Sequence, residues 1–134
     1  MPTVAGMDSP APHPFRAAVE RADLDAMVAA LHPDVRLYSP VAFRPFVGRD
    51  QVRELFANLL EVFEGFHYVD ELSGTSSHAL IFRADVGDIQ VQGLDHMVLD
   101  DDGLVTEFTV MVRPLSAAIR LAERMAPRVG HLKA

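Results

Sequence analysis

Asp95 and His96 are the residues whose types and placement most directly offer chemistry. They sit in GLDHMVLDDDG, Gly93 to Gly103, which reads as an apolar strand running into an acidic turn. A carboxylate in an apolar strand is costly unless it is paired, protonated or wet. Where apolar burial holds one, its pKa rises toward the range useful for acid/base catalysis. Successive side chains of a strand point to opposite faces, so Asp95 and His96 cannot converge on one ligand. Asp95 shares a face with Met97, while His96 goes to the other as an interface or surface residue. The remaining inventory is thin. The chain has no cysteine, which excludes thiolate catalysis, disulfides and cysteine-based zinc sites. Its six histidines lack metal-ligand spacing, so no metal is expected, and no cofactor is expected either. Asp100 to Asp102 reads as a solvated hairpin turn, because no loop of spaced calcium ligands follows.

The chain around these residues is of single-domain size. Its 134 residues suffice to bury roughly 70% of the surface of the unfolded chain. A net charge of −7 without a basic cluster argues against nucleic acid and against an anionic membrane surface as partners. No apolar run is long enough to span a bilayer. Residues 1–12, rich in proline and small residues, read as a flexible lead-in without the charged start and apolar stretch of a signal peptide. With the lack of cysteine, this agrees with a cytoplasmic location.

The elements that must position Asp95 follow from periodicity. Phe15, Ala18, Val19 and Ala22 recur at helical spacing. Asp23 reads as the N-cap of a second helix whose face is Leu24, Met27, Val28 and Leu31, closed by His32-Pro33-Asp34. Val35, Leu37 and Ser39 share one face of a short strand, with Arg36 and Tyr38 on the other. A proline-containing loop bears Phe43 and Phe46 as lid or plug residues. A third helix runs from Arg49 to Phe63, with Gly65 as its cap. Four strands then succeed one another, His67–Leu72, Ser77–Val86, Ile89–Leu99 and Leu104–Val112, with Gly87-Asp88 as a hairpin turn. After Pro114 a last helix carries Leu115, Ala118, Ile119, Ala122 and Met125 on one side and ends at Pro127 and Gly130. Helices first and hairpin-linked strands after them make an α+β layout, a curved sheet wrapped on helices.

Three stretches, ERADLDAMVAALHPDVRLYSPV, VGRDQVRELFANLL and GLDHMVLDDDGLVTEFTVM, taken with that element order, resemble the nuclear transport factor 2-like superfamily in its SnoaL-like and ketosteroid-isomerase-like branch. The resemblance runs from about Phe15 to Val112, within a single domain at residues 13–130. It implies a cone in which a bent antiparallel sheet and three helices enclose a mostly apolar pocket, and a homodimer formed on the outer face of the sheet. On the pocket side it places Ser39, Leu80 and Phe82, then Asp95 and Met97, then Phe108, Val110 and Val112; period-2 alternation keeps each strand's set on one face. Phe15 and Phe56 join them from the helices. His78 falls at the rim, and Tyr38 alternates away unless strand bending returns its hydroxyl to the site.

The resemblance also tests the chemistry residue by residue. Steroid isomerases of this branch use a helix tyrosine, a strand aspartate as base and a second, protonated aspartate. The first position falls on Phe15, which has no hydroxyl, and the second on Ser39, which without a neighbouring base cannot take a carbon-bound proton. Asp95 alone fills the third. Epoxide hydrolases of the fold need two aspartates bridged by an arginine, and the last strand offers no aspartate. Both mechanisms are disfavoured. The expectation is a pocket for a small apolar molecule in a cofactor-independent isomerase or cyclase-type enzyme, with Asp95 as acid/base. The alternative is a non-catalytic ligand-binding or dimerisation module of the same fold.

Overall fold

The computed structural model describes residues 13–133. Its elements are α1 (Pro14–Glu20), α2 (Leu24–Ala29), β1 (Leu31–Tyr38), β2 (Phe46–Val47), α3 (Arg49–Val62), β3 (Glu64–Ser73), β4 (Ser77–Val86), β5 (Ile89–Leu99), β6 (Val105–Arg113) and α4 (Leu115–Val129). The flexible lead-in expected for residues 1–12 lies outside the described residues. The six strands form one sheet in the order β2-β1-β6-β5-β4-β3. β3 to β6 meet as antiparallel neighbours, whereas β1 joins β6 in parallel. The expected α+β architecture of helices on a curved sheet is present. No helix among the described residues is long and apolar enough to cross a membrane.

Local chemistry accounts for where the elements begin. His13 caps α1: its Nδ1 accepts from Phe15 N–H at 3.1 Å, and its Nε2 lies 2.9 Å from the Gly103 carbonyl. The cap therefore ties the start of α1 to the β5–β6 turn and sets Phe15 inward. Asp23 caps α2 by accepting from Ala26 N–H, as its position before an apolar run predicts. Arg49 reaches from the first turn of α3 to the Leu31 carbonyl, fixing α3 against β1. In the acidic turn the Asp100 carboxylate accepts from the backbone N–H groups of Asp102 and Leu104, so the triplet shapes a hairpin.

Several boundaries differ from the sequence expectation. Leu31 is the first residue of β1, paired with Val105, and not part of the α2 face. The restriction that Pro33 places on His32 favours extended chain, so the strand begins ahead of the proline. The loop after β1 contains β2, two residues antiparallel to β1. Gly65 lies inside β3 at φ +61°, next to a register shift; it bends a strand and does not cap a helix. Pro127 lies within the last turn of α4, where only the hydrogen bond to the Glu123 carbonyl is forgone. The buried stripe of α4 is Ala117, Leu121, Met125 and Val129, while Leu115 and Ile119 are 76% and 51% exposed. Two apolar stripes run along this helix, and the one spaced strictly at four residues faces the core.

Candidate functional site

Between the sheet and the helices lies a cavity of about 160 Å³. Its size matches an engineered apolar cavity of about 150 Å³ that takes benzene. Seven phenylalanines line it, six of them as two triads. Phe15, Phe56 and Phe108 hold their ring centroids 5.1–5.5 Å apart. Phe63, Phe66 and Phe82 do so at 4.7–5.6 Å, with Phe66 stacked on Phe82. Gly93 permits the second triad, since a Cβ there would stand 2.0 Å from Phe82 Cζ. Val19, Met27, Leu55 and Phe46 extend the wall, and Leu121, Ala122, Met125 and Val129 of α4 complete it.

Three polar side chains reach this space, those of Ser39, Tyr68 and Asp95. Asp95 is 6% exposed and pairs across β5 with Leu80 on one side and Val110 on the other. On the same strand Gly93 pairs with Phe82 and Met97 with Phe108, so Asp95 lies between the triads. No described residue hydrogen-bonds its carboxyl, and burial pushes its pKa up to about 8. Desolvation penalises the charged form and nothing offsets it. The group is therefore mainly a neutral carboxylic acid at pH 7, able to donate with one oxygen and accept with the other.

Tyr68 comes from β3 and is 8% exposed. Burial raises the pKa of its phenol, and the Asp95 carboxyl is the next contribution. Its ring meets Phe66 edge-on at 5.1 Å, and the Arg16 guanidinium sits 5.5 Å above it. Among the described residues the only sealed side-chain polar atom without a partner is His78 Nδ1. The Asp95 carboxyl and Tyr68 hydroxyl are thus not sealed in the core, and both residues line the cavity. Ser39 does not offer a free oxygen in the same way, because its Oγ accepts from the N–H groups of Val41 and Ala42 and shapes the turn after β1.

Seven of the twelve residues expected at the site line this cavity: Asp95 and Ser39, the aromatic Phe15, Phe56, Phe82 and Phe108, and Val110. The other five do not. Leu80 and Met97 have no exposure, because solid core fills their end of the concave face. Val112 is half-buried beyond the opposite end. Tyr38 pairs with Thr109 and alternates to the outer face. His78 turns to the edge of β4, its Nε2 3.1 Å from Ser73 Oγ and 3.6 Å from a Glu71 oxygen. Phe46 lines the wall, but Phe43 is 97% exposed and plugs nothing. Tyr68 and Phe66 were not foreseen. Their period-2 aromatic spacing was the available signal, but a strand begun at His67 leaves Phe66 outside it and gives Tyr68 no aromatic neighbour on its own face.

A curved mixed sheet closed by helices, with one neutral carboxyl in an aromatic cavity, defines an α+β cone protein with a buried acid. This chain belongs to the SnoaL-like domain family, whose model matches residues 14–108. Among solved structures it is similar to a steroid delta-isomerase from Pseudomonas aeruginosa, at 36% identity over 87% of each chain and a TM-score of 0.82. A protein with a cystatin-like fold from Silicibacter pomeroyi is 29% identical over 87% of this chain and 85% of its own, with a TM-score of 0.81. A de novo designed protein with a curved β-sheet, 15% identical over 84% of this chain and 96% of its own with a TM-score of 0.65, shares the fold alone. No curated protein matches the chain.

Proposed function

We propose that the protein is a cofactor-independent isomerase of small apolar carbonyl compounds, with Asp95 as both acid and base. The observation that carries this reading is the buried, unpartnered Asp95 carboxyl in a cavity whose other lining, Ser39 and Tyr68 apart, is phenylalanine rings and aliphatic chains. Its pKa of about 8 lies near operating pH, where general acid–base catalysis is most effective. A lone carboxylic acid suffices for keto–enol isomerisation. The O–H proton passes to the carbonyl oxygen while the second carboxyl oxygen takes a proton from the α-carbon. The C–H electron pair becomes the C=C bond, the C=O pair becomes the enol O–H bond, and Asp95 ends neutral. Similarity to a steroid delta-isomerase supports the class of reaction, and the cavity volume supports a one-ring substrate over a polycyclic one. Deuterium exchange into the methyl group of acetophenone in D₂O, followed by proton NMR, tests this. Acceleration by the protein and its loss in Asp95→Asn are expected; equal exchange with the variant overturns the reading.

A second reading, a non-catalytic binder of the same ligands, is favoured by one observation: the Ser39 hydroxyl is occupied by its own turn, so Asp95 has no auxiliary base. It predicts acetophenone binding without exchange.

We further propose a homodimer through the outer sheet face. Ile81, Leu94 and Met111 form one row across β4, β5 and β6, with Val69 at the bulge of β3 beside them. Met111 is 60% and Val69 50% exposed, and contiguous exposed apolar surface of this kind marks interfaces. Arg83 and Asp85 flank the row on β4, and charges of both signs suit a self-complementary two-fold contact. Cytoplasmic residence, resting on the cysteine-free sequence, is tested by cell fractionation.

A further inference from the structure

The cavity contains a second polar group that neither acid/base chemistry nor the fold requires. Tyr68 is buried on β3, its ring wedged between Phe66 and the Arg16 guanidinium. Arg16 is itself held by Glu20 at 3.3 Å and by Glu71 at 3.0 Å, so the ring is fixed from the α1 side. Tyr68 lines the cavity shared with Asp95, its hydroxyl has no hydrogen-bond partner among the described residues, and it lies close enough to the Asp95 carboxyl for that group to act on its ionisation. A phenol hydroxyl that is not spent on a protein acceptor remains available to donate to a ligand. A phenylalanine would line the same wall equally well, as seven phenylalanines around the cavity do, so packing alone does not call for the hydroxyl.

We propose that Tyr68 is the specificity-determining residue of the cavity: its hydroxyl donates to the oxygen of a neutral, single planar ring held between the two phenylalanine triads. This rests on the reading of the cavity as a carbonyl-ligand site and adds the ligand's size, charge and second contact. The volume of about 160 Å³ admits one ring and its substituent. The triads, 4.7–5.6 Å between centroids within each, present ring faces and edges that favour a flat partner. Charge is selected against. The lining includes no lysine, arginine or histidine, so a carboxylate entering it would lose its hydration without gaining a counter-ion.

Three probes separate these points: acetophenone, its isostere α-methylstyrene in which CH₂ replaces the carbonyl oxygen, and benzoate. Binding is measured by titration calorimetry at pH 6.5. The wild-type protein should prefer acetophenone over α-methylstyrene about tenfold or more and leave benzoate unbound. Tyr68→Phe should weaken acetophenone about fivefold, in line with one neutral hydrogen bond, and leave α-methylstyrene unchanged, which also reports that the variant's cavity is intact. Acetophenone bound equally by wild type and Tyr68→Phe overturns the assignment of Tyr68 while leaving the Asp95 reading standing. Loss of deuterium exchange in Asp95→Asn is the separate readout of that reading. Tight benzoate binding overturns the ligand's proposed neutrality.

Discussion

At the scale of single residues, Asp95 dominates because its charge state couples ligand, pH and stability. Its carboxyl has a pKa of about 8 in the folded protein, against the ordinary aspartate value of 3.8. A raised pKa favours the folded state fully below the lower value, and that contribution is lost as pH rises to the upper one. Wild-type stability relative to Asp95→Asn should therefore fall between about pH 4 and pH 8 and level off above, by up to about 1.4 kcal/mol per pH unit. Urea denaturation of both proteins across that range checks it. Gly93 is the second decisive residue. Gly93→Ala drives a methyl into the Phe82 ring and should cost about 1–3 kcal/mol, read from the same denaturation curves. Asp95 was legible in the sequence because strand alternation needs only local order. Tyr68 was not, because a bulge between Tyr68 and Asp70 and a glycine bend at Gly65 hide the start and phase of β3.

At the scale of elements, the strands β4 and β5 run Ser77–Val86 and Ile89–Leu99, the bounds that alternation and the Gly87 turn imply. Hairpins are specified by nearby residues, so their register can be read locally. The parallel pairing of β1 with β6 joins chain ends far apart in sequence and leaves no local mark. α4 shows a different limit. Leu115 and Ile119 look as apolar as Leu121 and Met125, and only packing against the sheet and α3 decides which stripe turns inward. Leu121→Ala should cost about 2–3 kcal/mol, whereas Leu115→Ser should change stability by no more than about 0.5 kcal/mol. Comparable losses in thermal unfolding would mean that α4 is rotated from the position described.

At the scale of the whole molecule, the sheet has two faces with separate tasks. The concave face and four helices enclose the acid, and the outer face carries the row of Ile81, Leu94 and Met111 proposed for dimerisation. Met111→Glu places a charge in that row, so light scattering should show a shift from dimer to monomer with the fold retained. A monomeric wild type under the same conditions would remove the proposed interface without touching the cavity. The proposed chemistry depends on a neutral carboxylic acid in this cavity at pH 7. Carbon-13 NMR titration of the aspartate carboxyls, with Asp95 assigned by its absence from Asp95→Asn, tests that most directly. A carboxyl titrating near pH 8 is the predicted result, and Asp95 titrating near pH 4 with the ordinary aspartates would contradict it.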